Sequence, residues 1–257
     1  MVQTRSLPIF VALAVSGFSL TACQAPGGGG SSAGQPSNRL GLVSDHAPVE
    51  YSGHVLYFIK GEFAGIDRFT KTYSIVPWKQ GESEHAFKFE KNEIIPYSTA
   101  GMPGIADRDR WRRTLENSMR YETFHQEADR SLVLDAVIGV DGTPREIDHE
   151  VEHYIYPGTL EIGTTWLSEP ITSNLQGVHK FEVIGSEIYE GSNCWVVSAT
   201  RQAEANPGVP NSETVRHAAR FLLDPLTLSV LRIDAITEGV GPLGNDFRFV
   251  YHLDIVK

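Results

Sequence analysis

The sequence predicts an all-β domain, mainly antiparallel. Short runs rich in Val, Ile, Thr, Tyr, Phe and Trp recur through it, and Gly and Pro punctuate them. Several runs tend to alternate apolar and polar residues. Phe181-Glu182-Val183-Ile184 and Phe247-Arg248-Phe249-Val250-Tyr251-His252-Leu253 do so, which gives each strand one core face and one wet face. Asp141-Gly142 lies between two such runs and is a strong hairpin signal.

In chain order the predicted strands are Ser52–Lys60, Phe69–Pro77, His85–Glu90, Met119–Gln126 and Leu132–Val140. Glu146–Tyr156, Lys180–Ile188, Cys194–Arg201, Thr214–Leu223, Ser229–Thr237 and Asp246–Val256 follow. Asp224-Pro225-Leu226-Thr227 reads as a second turn. One segment departs from the pattern. Ile105–Met119 carries Trp111, Leu115 and Met119 four apart among charges, the spacing of one apolar stripe on a helix. An amphipathic helix near 105–119 needs a surface to lie on, and the open face of a curved sheet would serve.

The N-terminus places the protein. Arg5 gives a small positive region, and Leu7–Leu20 is uncharged but short for a membrane span. Leu20-Thr21-Ala22-Cys23 ends it, and this resembles the lipobox of bacterial lipoproteins. The resemblance implies a diacylglyceryl group on the Cys23 thiol, removal of residues 1–22 as signal peptide, and an acylated new amino terminus, commonly with palmitate. The plainer alternative is an ordinary secretory signal with an incidental cysteine. Residues 23–45 then read as lipidated cysteine and flexible tether, because Gln24–Ser37 offers almost nothing to bury. Each buried methylene contributes about 0.8 kcal/mol, and stable anchoring takes more than one acyl chain. Residues 46–257 read as a single β-rich domain.

The chain has 22 Lys and Arg against 32 Asp and Glu, a net charge of −10. The signal segment carries Arg5 and no acid, so the mature chain is more acidic still. Such a surface disfavours nucleic acid and gives no basic patch for anionic headgroups. The expected partner is the membrane, held through the N-terminal lipid, with a lipid or an envelope protein as a further partner. The expected location is the extracytoplasmic bacterial envelope. Gln24 is compatible with the outer membrane where the host has two.

Cys23 and Cys194 are the two cysteines. With Cys23 a thioether, Cys194 has no disulfide partner. It lies in the apolar run Cys194-Trp195-Val196-Val197 and reads as a small core residue, with no local base to activate it.

The C-terminal half carries a looser likeness. Pro157-Gly158-Thr159-Leu160-Glu161-Ile162-Gly163-Thr164-Thr165-Trp166 is followed by Val183–Glu187, by Cys194–Val197 and by Phe221–Leu231. The succession resembles extracytoplasmic domains of the lipoprotein-carrier half-barrel type (the LolA/LolB group). That likeness implies a strongly bent antiparallel sheet, a half-barrel or sandwich, around an apolar hollow partly closed by helices. Leu228-Ser229 stands where such domains often carry a glycine.

His149-Glu150-Val151-Glu152-His153 spells H-E-x-x-H. On a helix, residues four apart lie about 6 Å apart on one face. His149 and His153 would then share a zinc, with Glu150 as general base. Thr143-Pro144-Arg145-Glu146 has the form of a helix start. The strand reading competes. It puts Ile147, His149, Val151, His153 and Ile155 on one face and the acids on the other, with the two histidines about 13 Å apart. It is preferred because Asp141-Gly142 asks for a hairpin partner, and because no third histidine or helical glutamate follows. It needs no cofactor.

The remaining constellations carry less. Gly27–Gly30 follows no strand and is tether. Asp107–Arg113 reads as the wet side of a helix, and no G-x-S-x-G elbow occurs. Tyr51, Tyr57, Phe58, Phe63, Trp166 and Trp195 read as core and sheet packing. The expected function is a non-enzymatic envelope protein that binds an apolar ligand, a lipid or acyl chain, or a partner protein. The alternative is a zinc hydrolase on His149, Glu150 and His153.

Overall fold

A computed structural model describes residues 34–44, 46–80, 83–96, 121–139, 142–145, 154–168, 179–203, 214–240 and 246–256. These residues include no helix, and thirteen strands among them form one sheet whose pairings are all antiparallel. The predicted helix near 105–119 lies outside the described residues. So do Cys23, His149, Glu150 and His153.

The first arm of the sheet contains β1 (His46–Ile59), β2 (Glu62–Gln80), β3 (Ser83–Pro96), β4 (Tyr121–Gln126), β5 (Leu132–Ile138), β6 (Pro144–Arg145) and β7 (Tyr154–Tyr156). The second contains β8 (Thr165–Ser168), β9 (His179–Tyr189), β10 (Ser192–Ala203), β11 (Thr214–Asp224), β12 (Ser229–Val240) and β13 (Asp246–Ile255). Their order across the sheet is β6-β5-β4-β3-β2-β1-β13-β12-β11-β10-β9-β8, with β7 also on β5. Successive hairpins build each arm, and the β1–β13 ladder joins the two. The strands that meet at the two edges, β7 and β8, are consecutive in the chain. The Trp166 indole Nε1 donates to the Ile155 carbonyl at 3.1 Å, and Trp166 stands edge-on to Tyr156. The sheet bends into a barrel, closed but for this seam, so the sandwich is not the form it takes. Near-closure also blunts the edges that would otherwise pair with other chains.

Local chemistry explains the turns. Lys60-Gly61 and Glu190-Gly191 have positive φ at both residues, the geometry of two-residue hairpin loops that match strand twist. Gly142 turns β5 into β6, with Gly139 N–H donating to the Thr143 carbonyl at 3.1 Å. Pro144 and Arg145 are thus strand, where the alternative reading has the first turn of a helix. Asp224 Oδ1 accepts the Leu226 N–H at 2.9 Å, the expected turn. The β11–β12 turn ends on Leu228 at φ 61, where a glycine would be unstrained. Burial of its side chain in the core holds it there.

One end of the barrel is capped. Residues 37–43 lie across it, although the tether is expected to run to residue 45, so the folded part begins ahead of residue 46. Leu40 is fully buried and packs in the main core. Leu40 N–H donates to Gly158 O and Leu160 N–H to Asn38 O, while Gly41 N–H reaches Pro225 O at 2.8 Å. Gln126 binds Val43 N–H and Gly41 O, and the Trp195 indole donates to Ser37 O at 2.9 Å. Gly41 must lack a side chain, because a Cβ there would meet the Leu226 carbonyl oxygen at 2.0 Å.

Candidate functional site

The site is the inward face of the sheet. Register puts side chains into rows that run across the strands. One inward row is Phe69, Gly53, Leu253, Ile233, Phe221, Val197 and Val183. The next, one step further from the cap, is Asp67, Val55, Tyr251, Ala235, Ala219, Ala199 and Phe181. Three alanines in register make a strip of small side chains on β10–β12 between aromatic neighbours, with Ala199 and Ala235 buried and Ala219 half-buried. An eight-stranded barrel is about filled by its own side chains, and a wider one is not unless it flattens. Near the cap the interior is packed by Tyr51, Trp195, Leu160, Leu223 and Leu228, all at most 4% exposed.

Charged and hydroxyl groups sit among these apolar walls. The Tyr51 hydroxyl donates to the Tyr73 hydroxyl at 2.7 Å, with the rings stacked. Tyr73 also bonds with Ser229 and with the Val230 backbone, on the far side of β1 and β13. Burial raises the pKa of Tyr51, Tyr73 and Tyr156, so all three stay neutral hydroxyls. Glu122 of β4, 1% exposed, shares this region.

Lys71 is the unusual member. Its ammonium lies over two rings, 5.8 Å from the centroid of Phe69 and 5.8 Å from that of Tyr251. Such contacts favour a cation but do not replace lost water. Among the described residues it has no hydrogen-bond or salt-bridge partner. Burial pulls its pKa down to about 8, against the opposing pull of Glu122. The ring beneath it is also incompletely satisfied: the Tyr251 hydroxyl is buried and unpartnered among the described residues. Its titration is pushed up by burial.

Gly53 builds this cluster. Phe69 of β2 stacks on Tyr251 of β13 at 5.1 Å, although β1 lies between them. It can do so only because β1 has no side chain at that point. A Cβ on Gly53 would stand 2.1 Å from the His252 carbonyl oxygen and 2.9 Å from Phe69 Cζ.

Beyond the alanine row lie His217, Thr237 and Arg201. His217 Nδ1 is 2.9 Å from Thr237 Oγ1, and the His179 ring stands edge-on to it at 5.2 Å. Burial, with His179 and Arg201 beside it, pushes His217 down to about 3, so it is a neutral hydrogen-bonding group. The outer face has its own network. His252 lies 2.7 Å from both Asp234 and Asp254, Arg232 binds Asp234 at 2.8 Å, and the Tyr189 hydroxyl donates to Asp254 at 2.8 Å. Burial opposes the charged ring of His252, but the two carboxylates outweigh it and raise its pKa. With the Arg220–Glu187 pair, this network ties the β9–β10 tip to β11–β13. Tyr189 of this network packs on a small outer cluster of Cys194, Val196, Leu222 and Leu231.

The structure therefore places Cys194 in a core, as its sequence context implies. Burial, with Asp224 and Glu187 nearby, raises its thiol to about 11. In a Cys23→Ser variant the remaining thiol is expected to resist Ellman's reagent until denaturant is added; prompt native reaction would contradict this burial. Tyr51, Tyr57, Trp166 and Trp195 are buried as expected. Phe58 and Phe63 are not interior: they meet edge-on, 5.8 Å apart, on the outward face, and Phe63 is exposed. The H-E-x-x-H letters fall in 146–153, between Pro144–Arg145 and Tyr154–Tyr156. Both flanking pieces pair with β5, which has only Leu134, Asp135 and Ala136 between the two pairings. Among the described residues no group of three His, Cys, Asp or Glu is set to hold a metal ion.

No family model matches the chain, and no curated protein does.

Sequence reading had passed over Lys71, Glu122 and Asp67. The signal was parity. Phe69-Thr70-Lys71-Thr72-Tyr73 alternates, and Lys71 stands in phase with the aromatic residues that face inward. Glu122 likewise stands in phase with Phe124.

Proposed function

We propose that this chain is a lipid-anchored, extracytoplasmic envelope protein, not an enzyme, whose barrel holds an apolar chain such as a lipid acyl group. The supporting observation is the inward row Tyr251-Ala235-Ala219-Ala199-Phe181, a strip of small side chains between aromatic walls in a barrel of more strands than side chains readily fill. The interior near the cap is closed, which suits a blind pocket and not a channel. The anchor at Cys23 and the linker after it would hold such a barrel near a membrane that supplies the ligand.

A neutral fluorescent probe, N-phenyl-1-naphthylamine, tests the binding half. It is expected to brighten on mixing with the protein. Ala219→Phe fills the strip and is expected to weaken that binding by about tenfold or more. Ala218→Phe, one residue away on the exposed outer face, is expected to leave it unchanged. No brightening, or equal effects of the two substitutions, would overturn the interior site. Intact-mass measurement on protein from its native host tests the anchor: acylated Cys23 is expected at the amino terminus, and an unmodified thiol there contradicts it.

A further inference from the structure

We propose that the chain held in the barrel is an anionic amphiphile, with a carboxylate head against the Lys71 ammonium and the Tyr251 hydroxyl. This rests on the reading that the interior takes an apolar chain, and it names the chemistry of the head. Three independent facts converge on one place. Lys71 faces inward from the middle of β2 and has no hydrogen-bond or salt-bridge partner among the described residues. The Tyr251 hydroxyl, on a ring that Lys71 overlies, is buried and also lacks a partner there. Gly53 gives up its side chain so that Phe69 and Tyr251 can stack beneath the ammonium.

An ammonium and a hydroxyl are both donors, and what they leave unfilled is an acceptor. Buried donors without acceptors are costly, and a charged one most of all. A carboxylate supplies the acceptor for both and the countercharge for one. The apolar tail then runs from this point along the alanine strip, the next inward feature on β12, β11 and β10. Glu122 and Asp67 also lie in this part of the interior. The attraction that Glu122 exerts on the ammonium already places negative potential there, which favours a head with a single charge over a phosphate monoester with nearly two.

Displacement of N-phenyl-1-naphthylamine by palmitate, by hexadecyl phosphate and by 1-hexadecanol separates the possibilities. The full-length protein is expected to prefer palmitate to hexadecanol by about tenfold or more, a single well-placed charge-assisted contact. Palmitate is expected to outcompete hexadecyl phosphate. Lys71→Met is expected to abolish the preference for palmitate while leaving the neutral probe and hexadecanol nearly unchanged. Lys71→Arg is expected to keep the preference, and Tyr251→Phe to reduce the palmitate-to-hexadecanol ratio severalfold. An unchanged palmitate-to-hexadecanol ratio in Lys71→Met and Tyr251→Phe, with the probe still bound, overturns the head assignment and leaves the apolar site standing. Stronger binding of hexadecyl phosphate overturns the choice of carboxylate. Failure of the wild type to bind the neutral probe overturns the apolar site itself.

Discussion

Lys71→Met is expected to make the ligand-free protein more stable at pH 7, by about 2–3 kcal/mol. The wild-type ammonium titrates near 8 inside the barrel, against an ordinary value of 10.5. Below both values the lysine is charged whether the chain is folded or not, and the folded state bears the whole difference. One unit is worth about 1.4 kcal/mol, so the penalty, with the attraction to Glu122 already inside it, is roughly 3 kcal/mol, less a part for the ring contacts that methionine gives up. The sign in pH follows. Between about 8 and 10.5 the unfolded chain binds the proton and the folded chain releases it, so wild-type stability rises with pH in that window. The advantage of the methionine variant should therefore shrink toward pH 10. Urea unfolding at pH 7 and pH 10 measures both. A variant less stable than wild type at pH 7, or an advantage that grows with pH, contradicts a buried unpaired ammonium. A side chain that weakens the fold yet lies among aromatic walls is the usual mark of a position kept for binding.

Gly53→Ala is expected to destabilise by about 2–4 kcal/mol, the range of severe overpacking. The first obstacle to the methyl group is the His252 carbonyl oxygen, 2.1 Å from where it would stand. That oxygen belongs to β13, which cannot withdraw without loosening the ladder that joins the two arms of the sheet. The second is Phe69, whose ring would leave Tyr251. Phe69→Ala should therefore not rescue Gly53→Ala. A loss under about 1 kcal/mol, or full rescue, would mean that the strands are further apart at this crossing than described.

Most strands were legible because burial on one face writes itself into alternate residues. Their ends were not. β2 runs Glu62–Gln80 where the pattern predicts Phe69–Pro77, since backbone pairing continues past Asp67 and Arg68 after the apolar alternation lapses. β8 was missed, being four residues long. Lys60-Gly61 and Glu190-Gly191 turn hairpins without the Asn or Asp that advertises one. Residues 37–43 put Leu40 in the core and Val43 against it, but the run is short, shows no strand or helix period and directly follows the Gly/Ser/Pro stretch, so its place on the cap could not be read. The strand expected at Glu146–Tyr156 is met at Tyr154–Tyr156, with a further short strand at Pro144–Arg145 just ahead of its predicted start. Lys71 was legible in parity alone. What makes it unusual is the pairing of β2 with β1 and β13, which places two rings beneath it, and no local pattern announces that.

Photo-crosslinking with a diazirine-bearing palmitate puts the central claim to its most direct test. Irradiation followed by peptide mapping is expected to label inward residues around Phe69, Ala219, Ala235 and Tyr251, and excess palmitate is expected to suppress the labels. Labels confined to outward apolar residues such as Phe63, Ile188 and Leu226 would show that the chain lies on the barrel and not in it.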